Sequence, residues 1–166
     1  MWRKRLLGVL VALVLAGAFV ATRPDGGPPA ADQDVAVVRI VDGDTLVVTG
    51  GVRVRLIGIN TPESVDPRRP VECFGKEAAA ALARLVPPGT PVRLGYDVER
   101  TDRFGRTLAY VHRQPDGLFV NAALVEQGYA QPATYPPNVA HAGEFAALAQ
   151  QARQGNAGLW SACPSQ

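Results

Sequence analysis

A chain of 166 residues, 47% of them hydrophobic, is long enough to bury one sizeable core and short for two. Its formal charge of +2 comes from 17 basic and 15 acidic residues; Arg3, Lys4, Arg5 and Arg23 against Asp25 precede residue 32, which leaves the remainder near −1. That balance excludes tight non-specific polyanion binding by bulk charge, so any phosphate site has to come from a few placed arginines.

Arg3, Lys4 and Arg5 stand before an uninterrupted apolar run from Leu6 to Ala21, the charged and hydrophobic regions of a secretory signal. The run is shorter than the roughly 20 residues of a comfortable membrane span, and Ala16-Gly17-Ala18 offers small residues for cleavage after Ala18. A signal peptide over residues 1–21 is expected, with an uncleaved signal anchor as the alternative; Ala18 stands where a lipoprotein would carry its cysteine. Residues 22–34, rich in Pro, Gly, Ala and Asp, read as a flexible linker, and a folded domain is expected over 35–163. The protein is therefore expected to be secreted or extracytoplasmic, reaching the membrane only through an N-terminal segment that is retained.

"VAVVRIV" (Val35–Val41) is β-branched and reads as a strand, "DGDT" as a turn, and "TLVVTG" (Thr45–Gly50) as the returning strand. "VRVRLIGI" (Val52–Ile59) alternates, with Val52, Val54 and Leu56 on one face and Arg53, Arg55 and Ile57 on the other. A polar, Pro-containing loop, Ser64 to Glu72, precedes an alanine-rich helix, Gly75–Val86, stopped by Pro87-Pro88-Gly89. Thr90–Val98 and Thr107–Arg113 read as two more strands around the charged turn "ERTDRFGR". A short helix ending at Gly128, a Pro-rich loop from Pro132 to Pro137, and a last helix from His141 to Arg153 complete the chain, with Leu159 and Trp160 as an apolar tail. Five strands with a helix between the third and fourth is the order of an OB-type β-barrel, so the fold class expected is α+β, a five-stranded barrel with about three helices.

Three clusters carry chemistry. Asp42-Gly43-Asp44-Thr45 sets two carboxylates around a glycine; on its own it is an ordinary Asp-Gly turn, and it lacks the further ligands of an EF-hand. The third strand of a meander ends beside the start of the second, which brings Asn60, Thr61 and Glu63 toward Asp44, a set of hard oxygens suited to Ca²⁺ or Mg²⁺. Arg55 sits mid-strand where a guanidinium needs an anion, either an internal carboxylate or a phosphate; Arg53, nearer the strand start, reads as a solvated or structural charge. "RTDRFGR" supplies Arg100, Arg103 and Arg106, and Arg106 stands directly before an apolar strand. Basic turns are most often merely solvated, but two arginines flanking a carboxylate cluster is what the crowded negative charge of a phosphodiester transition state requires. Cys73 and Cys163, both in the exported portion, suggest one disulfide, the alternative being two unrelated buried thiols; neither zinc spacing nor paired histidines are present.

"VDGDT", "RLIGINTPE", "GKEA", "RTDRFGR" and "LVEQGYA" occur in the order and approximate spacing of the staphylococcal-nuclease-like (thermonuclease) family, and the chain resembles that family from about Val37 to Trp160. The resemblance implies a Ca²⁺-dependent phosphodiesterase acting on DNA and RNA, taken here as a monomer. It implies that Asp44 and the Thr61 carbonyl bind Ca²⁺, that Asn60 stands where the family's second acidic ligand usually is, and that Arg55 and Arg106 bind the phosphate. Glu63 matches the residue usually described as the general base. Arg103, Phe104 and Tyr135 are the expected substrate contacts. Asn60 and Phe104 depart from the pattern, replacing an aspartate and a tyrosine. The competing function is an OB-type module that holds single-stranded nucleic acid or another anionic ligand without cutting it.

Overall fold

The computed structural model describes residues 34–163 apart from 69 and 115. The expected signal segment, and all but the last residue of the expected linker, lie outside the described residues. Among the described residues no helix is long and apolar enough to cross a membrane.

Strand β1 (Val35–Asp42) turns through Gly43 into β2 (Thr45–Val48), and a short 3₁₀ turn, Thr49–Gly51, leads into β3 (Val52–Leu56). After β4 (Gly58–Asn60) and the long loop comes helix α1 (Gly75–Leu85), then β5 (Pro91–Gly95) and β6 (Thr107–Arg113). Helix α2 (Val120–Glu126), β7 (Gln131–Ala133), α3 (Ala142–Gln154) and the short α4 (Leu159–Ala162) follow. The five expected strands close a barrel in the order β1-β2-β3-β6-β5. All neighbours are antiparallel except β3 and β6, which run parallel with Arg55 opposite Leu108. The barrel is OB-type and the fold α+β, as expected.

The alternation of β1 to β3 and β5 to β6 turns Val37, Leu46, Val48, Val54, Leu56, Val92, Leu94 and Ala109 inward. Helix α1 closes one end by burying Ala78, Ala81 and Leu82, the face that its alanine spacing provides. Helix α2 buries Val120, Ala123, Leu124 and Val125. Helix α3 contributes Phe145, fully buried beside Tyr110, Phe119 and His141. Gly128 follows the end of α2 at φ +72°, and its carbonyl accepts from Leu159 N–H at 2.9 Å, docking α4.

One expectation needs correction. Val52–Ile59 is not a single strand: β3 stops at Leu56, Gly58 turns at φ +79°, and β4 leaves the barrel to pair with β7, with Ile59 opposite Pro132. Two features enforce the break. The buried Asn121 side chain donates to the Ile57 carbonyl and accepts from the Val111 N–H, each at 2.9 Å, so the Ile57 acceptor is satisfied off the ladder. A Cβ on Gly58 would stand 2.5 Å from Phe145 Cε2. The Pro-rich loop, read as irregular, accordingly contains β7 and a cis Pro136-Pro137 bond.

The expected disulfide is present, joining Cys73 and Cys163 across a sequence separation of 90. Gly58→Ala combines an unfavourable φ with a collision and should destabilise the fold by on the order of 2–4 kcal/mol. Urea denaturation of both proteins measures this; a shift inside about 0.5 kcal/mol, the range of neutral surface changes, would show that Phe145 does not brace the turn.

Candidate active site

The turn before β2 ends on a carboxylate that is almost wholly buried. Asp44 has 6% of its surface exposed, and a charge so placed must be met by donors. Thr61 gives both its backbone N–H and its hydroxyl to Oδ2, each at 3.1 Å, and the Thr45 hydroxyl donates to Oδ1 at 3.0 Å. Nη1 of Arg55 lies 2.8 Å from the same Oδ2. This follows from register: Thr45 stands opposite Arg55 in the β2–β3 pair, and the turn at Gly58 swings Thr61 back over the start of β2.

Arg55 is also largely enclosed, with 13% of its side chain exposed. Nη1 donates to the Leu56 carbonyl at 2.9 Å and Nη2 to Asn60 Oδ1 at 3.1 Å. Burial lowers its pKa from the ordinary arginine value, Asp44 opposes that effect, and nearby Arg106 adds to it. The guanidinium remains charged at any physiological pH. Its partner is an internal carboxylate, and it also faces a cavity of about 510 Å³. Of the two partners that the sequence left open for Arg55, the internal carboxylate is the one present.

The same cavity is lined by Arg103, Phe104, Arg106, Tyr135 and Asn138. Arg106, immediately before β6, reaches it beside Arg55 because β6 runs parallel to β3. Asp102 organises the turn before it: Oδ1 accepts the N–H groups of Phe104 and Arg106, each at 2.9 Å, while Oδ2 accepts Arg106 Nε at 2.7 Å. Burial acts to raise the Asp102 pKa, but these bonds outweigh it and hold the carboxyl below its usual range. With Nε so occupied, the other guanidinium nitrogens of Arg106 are left for the cavity. Phe104 and Tyr135 are 69% and 70% exposed, and the guanidiniums of Arg103 and Arg106 lie 4.8 and 5.6 Å from the Phe104 ring centre.

Asp44, Asn60 and Thr61 are therefore brought together, and Arg55, Arg103, Phe104, Arg106 and Tyr135 share one cavity beside them. Glu63 is placed differently. It lies past Pro62, and its Oε1 accepts the N–H groups of Ser64 and Val65 at 2.8 Å and of Asp66 at 3.1 Å. These bonds, that of Val65 foremost and against an opposing effect of burial, hold its pKa below the usual glutamate value. Asp42, which sequence reasoning left outside the site, belongs to the same neighbourhood. Burial raises its pKa against hydrogen bonds from Ser64 and Gly43, and the charges of Asp44 and Glu63 push the same way as burial. The two-carboxylate turn was the available signal. Asn121 was also missed, since nothing in "FVNAAL" marks an asparagine that satisfies two distant backbone groups.

Among the described residues no group of three His, Cys, Asp or Glu side chains is arranged to hold a metal. A cation site here has to draw on amide and backbone oxygens as well as carboxylate. Asp44 Oδ2 and Asn60 Oδ1 already converge on one positive group, the Arg55 guanidinium, and Thr61 follows directly in the chain. This all-oxygen set fits a hard divalent cation and not zinc.

An OB-type barrel whose paired arginines open onto a cavity next to such oxygens has the layout of an enzyme for phosphodiesters. Comparison with known proteins agrees. Residues 53–162 match the family model described as staphylococcal nuclease homologue. The thermonuclease of Staphylococcus hyicus is 36% identical over 133 residues, covering 78% of this chain and 77% of that one. The thermonuclease of Staphylococcus intermedius is 43% identical over 109 residues, 64% of this chain and 63% of the relative. The SPbeta prophage-derived endonuclease YokF of Bacillus subtilis is 38% identical over 133 residues, 77% of this chain but only 44% of its own length. The chain belongs to the staphylococcal nuclease family and is a phosphodiesterase of it.

Removing one member of a buried ion pair strands the other. Arg55→Met should destabilise the fold by on the order of 2–4 kcal/mol, and adding Asp44→Asn should recover part of that loss. Denaturant titrations of the parent, the two single variants and the double variant measure the coupling; strictly additive losses would contradict the pairing.

Proposed function

We propose that the chain is an exported, Ca²⁺-dependent nuclease that hydrolyses the phosphodiester bonds of DNA and RNA by metal-assisted attack of water. The observation that carries this reading is the convergence of Arg55, on β3, and Arg106, just before the parallel strand β6, on one cavity beside the Asp44–Asn60–Thr61 oxygens. Ca²⁺ held by Asp44, Asn60 and the Thr61 carbonyl would act as Lewis acid for a phosphate oxygen and the attacking water. Arg55 and Arg106 bind the non-bridging phosphate oxygens, and their fixed forks suit the charge that grows there in the transition state. Glu63, ionised at neutral pH, accepts the proton of the water. The three N–H groups on Oε1 weaken it as a base and at the same time fix where it stands. Phe104 and Tyr135, exposed at the cavity rim, offer faces on which bases stack, and Arg103 braces the first of them.

Export is supported by the N-terminal charged and apolar pattern and by a disulfide, which persists in oxidising compartments. Retention of the N-terminal segment would tether the enzyme to the membrane. The enzyme is taken to act as a monomer.

The purified protein should open circular single-stranded DNA, and circular RNA, in the presence of Ca²⁺, and a chelator should stop it. Circles have no ends, so cutting them also establishes endonuclease action. Circles left intact across a range of Ca²⁺ concentrations, while still retarded by the protein in a gel, would establish a binding module instead.

Asn60 supplies a neutral oxygen where a carboxylate would add charge, and Ca²⁺ affinity follows ligand charge. Asn60→Asp should lower the Ca²⁺ concentration giving half-maximal cleavage, by on the order of several-fold. If the variant needs as much Ca²⁺ as the parent, position 60 is not a ligand.

A further inference from the structure

The loop that carries Glu63 is closed at its base by a reciprocal clasp. Glu63 N–H donates to Glu72 Oε2 at 3.0 Å, and Glu72 N–H donates to the Glu63 carbonyl at 2.8 Å. The start of α1 is pressed against the same carbonyl, since a Cβ on Gly75 would stand 2.6 Å from it. Between Glu72 and Gly75 lie Cys73 and Phe74. Phe74 holds φ +71°, a left-handed conformation that a bulky side chain keeps only when its surroundings impose it. Two contacts do so: its ring stacks on Tyr129 with centroids 5.4 Å apart, and the residue before it is bonded to Cys163. Cys163 is buried at the end of α4, which is anchored through Leu159 to Gly128. Cys73, by contrast, is exposed.

We propose that the Cys73–Cys163 disulfide, acting through Glu72, positions the Glu63 loop for catalysis, so that reduction of the bridge lowers turnover. The inference rests on the reading of Glu63 as the base. A dithiol supplies two electrons and two protons: its thiolate attacks Cys73 Sγ, the S–S bond breaks to two thiols, and the reductant leaves as its own disulfide. Released from Cys163, the Cys73–Phe74 link is free to return to an ordinary negative φ. That movement carries the Glu72 carboxylate away from the Glu63 N–H and loosens the turn whose three N–H groups hold Glu63 Oε1. Phosphate binding by Arg55 and Arg106 does not pass through this loop. The loss therefore falls on kcat and not on KM. The same chemistry would keep the nuclease weak in a reducing compartment and complete it in an oxidising one.

The test uses the full chain with circular single-stranded DNA and Ca²⁺, oxidised and after treatment with dithiothreitol, at a temperature where near-UV circular dichroism shows both forms folded. Reduction should lower kcat about tenfold or more, leave KM little changed, and speed amide exchange at Ser64, Val65 and Asp66. With the bridge intact, Glu72→Ala should reproduce the kcat loss, and Glu72→Gln, which keeps an acceptor oxygen, should restore most of it. An unchanged kcat on reduction overturns the proposal, as does a kcat loss with no change in exchange at those amides. A Glu72→Gln variant no better than Glu72→Ala also overturns it. If the reduced form unfolds, the two Glu72 variants decide. Glu63→Gln separates the two levels: turnover at the parent rate removes the base assignment and this proposal with it, whereas a crippled Glu63→Gln beside an unaffected reduced enzyme removes the clamp alone.

Discussion

A carboxylate sealed from water at the head of a barrel strand is the constraint from which this site is built. Asp44 must be ringed with donors, and the chain provides them from three directions: its neighbour Thr45, the opposite strand through Arg55, and the returning loop through Thr61. Each donor is thereby fixed in place. Arg55 lies at the cavity wall because Asp44 holds it from behind, and the chain after β4 is tied to the barrel because Thr61 gives two hydrogen bonds to the same oxygen. Arg55 is neutralised internally by Asp44 while it still lines the cavity, which is how a buried guanidinium avoids the full cost of its desolvation.

The second element of the design is a deliberate end to strand pairing. Had β3 continued past Leu56, Asn60 and Thr61 would have followed the barrel wall and Asp44 would lack two of its donors. Asn121 removes the reason to continue by satisfying Ile57 with a side chain, and Gly58 permits the turn that Phe145 then closes from outside. Helices α2 and α3 thus shape the site without lining it. This also explains why β4 and β7 form a separate two-stranded sheet, flanking the cavity on the side of Tyr135.

Much of this was legible in the sequence. β-Branched runs bounded by turn residues located the five barrel strands, alanine richness located α1, and Gly128 marked the end of α2, because these signals are local. Five short motifs in order carried the family. What could not be read depends on contacts between distant segments. The run "VRVRLIGI" has an unbroken strand pattern, and only Phe145 and Asn121, far along the chain, make Gly58 a corner. The Pro-rich stretch hides β7 because Pro132 is tolerable only in a short edge pairing of this kind. The orientation of Glu63 was illegible for another reason: its carboxylate is claimed by the backbone of its own loop, a choice among rotamers that no spacing encodes.

The parallel pairing of β3 with β6 has a kinetic meaning. Parallel neighbours cannot be joined by a hairpin, so the chain must run through α1 and β5 before β6 can take its place. Arg55 and Arg106 share a cavity only after that long excursion has folded back, and barrel closure between β1 and β5 is equally non-local. Such contacts come late in folding, after the local hairpins have formed. The hairpins of β1 to β3 alone bring Arg55 to Asp44 but leave Arg106 without its place beside it. The cavity that both arginines line is therefore a product of the closed barrel and of no single hairpin within it.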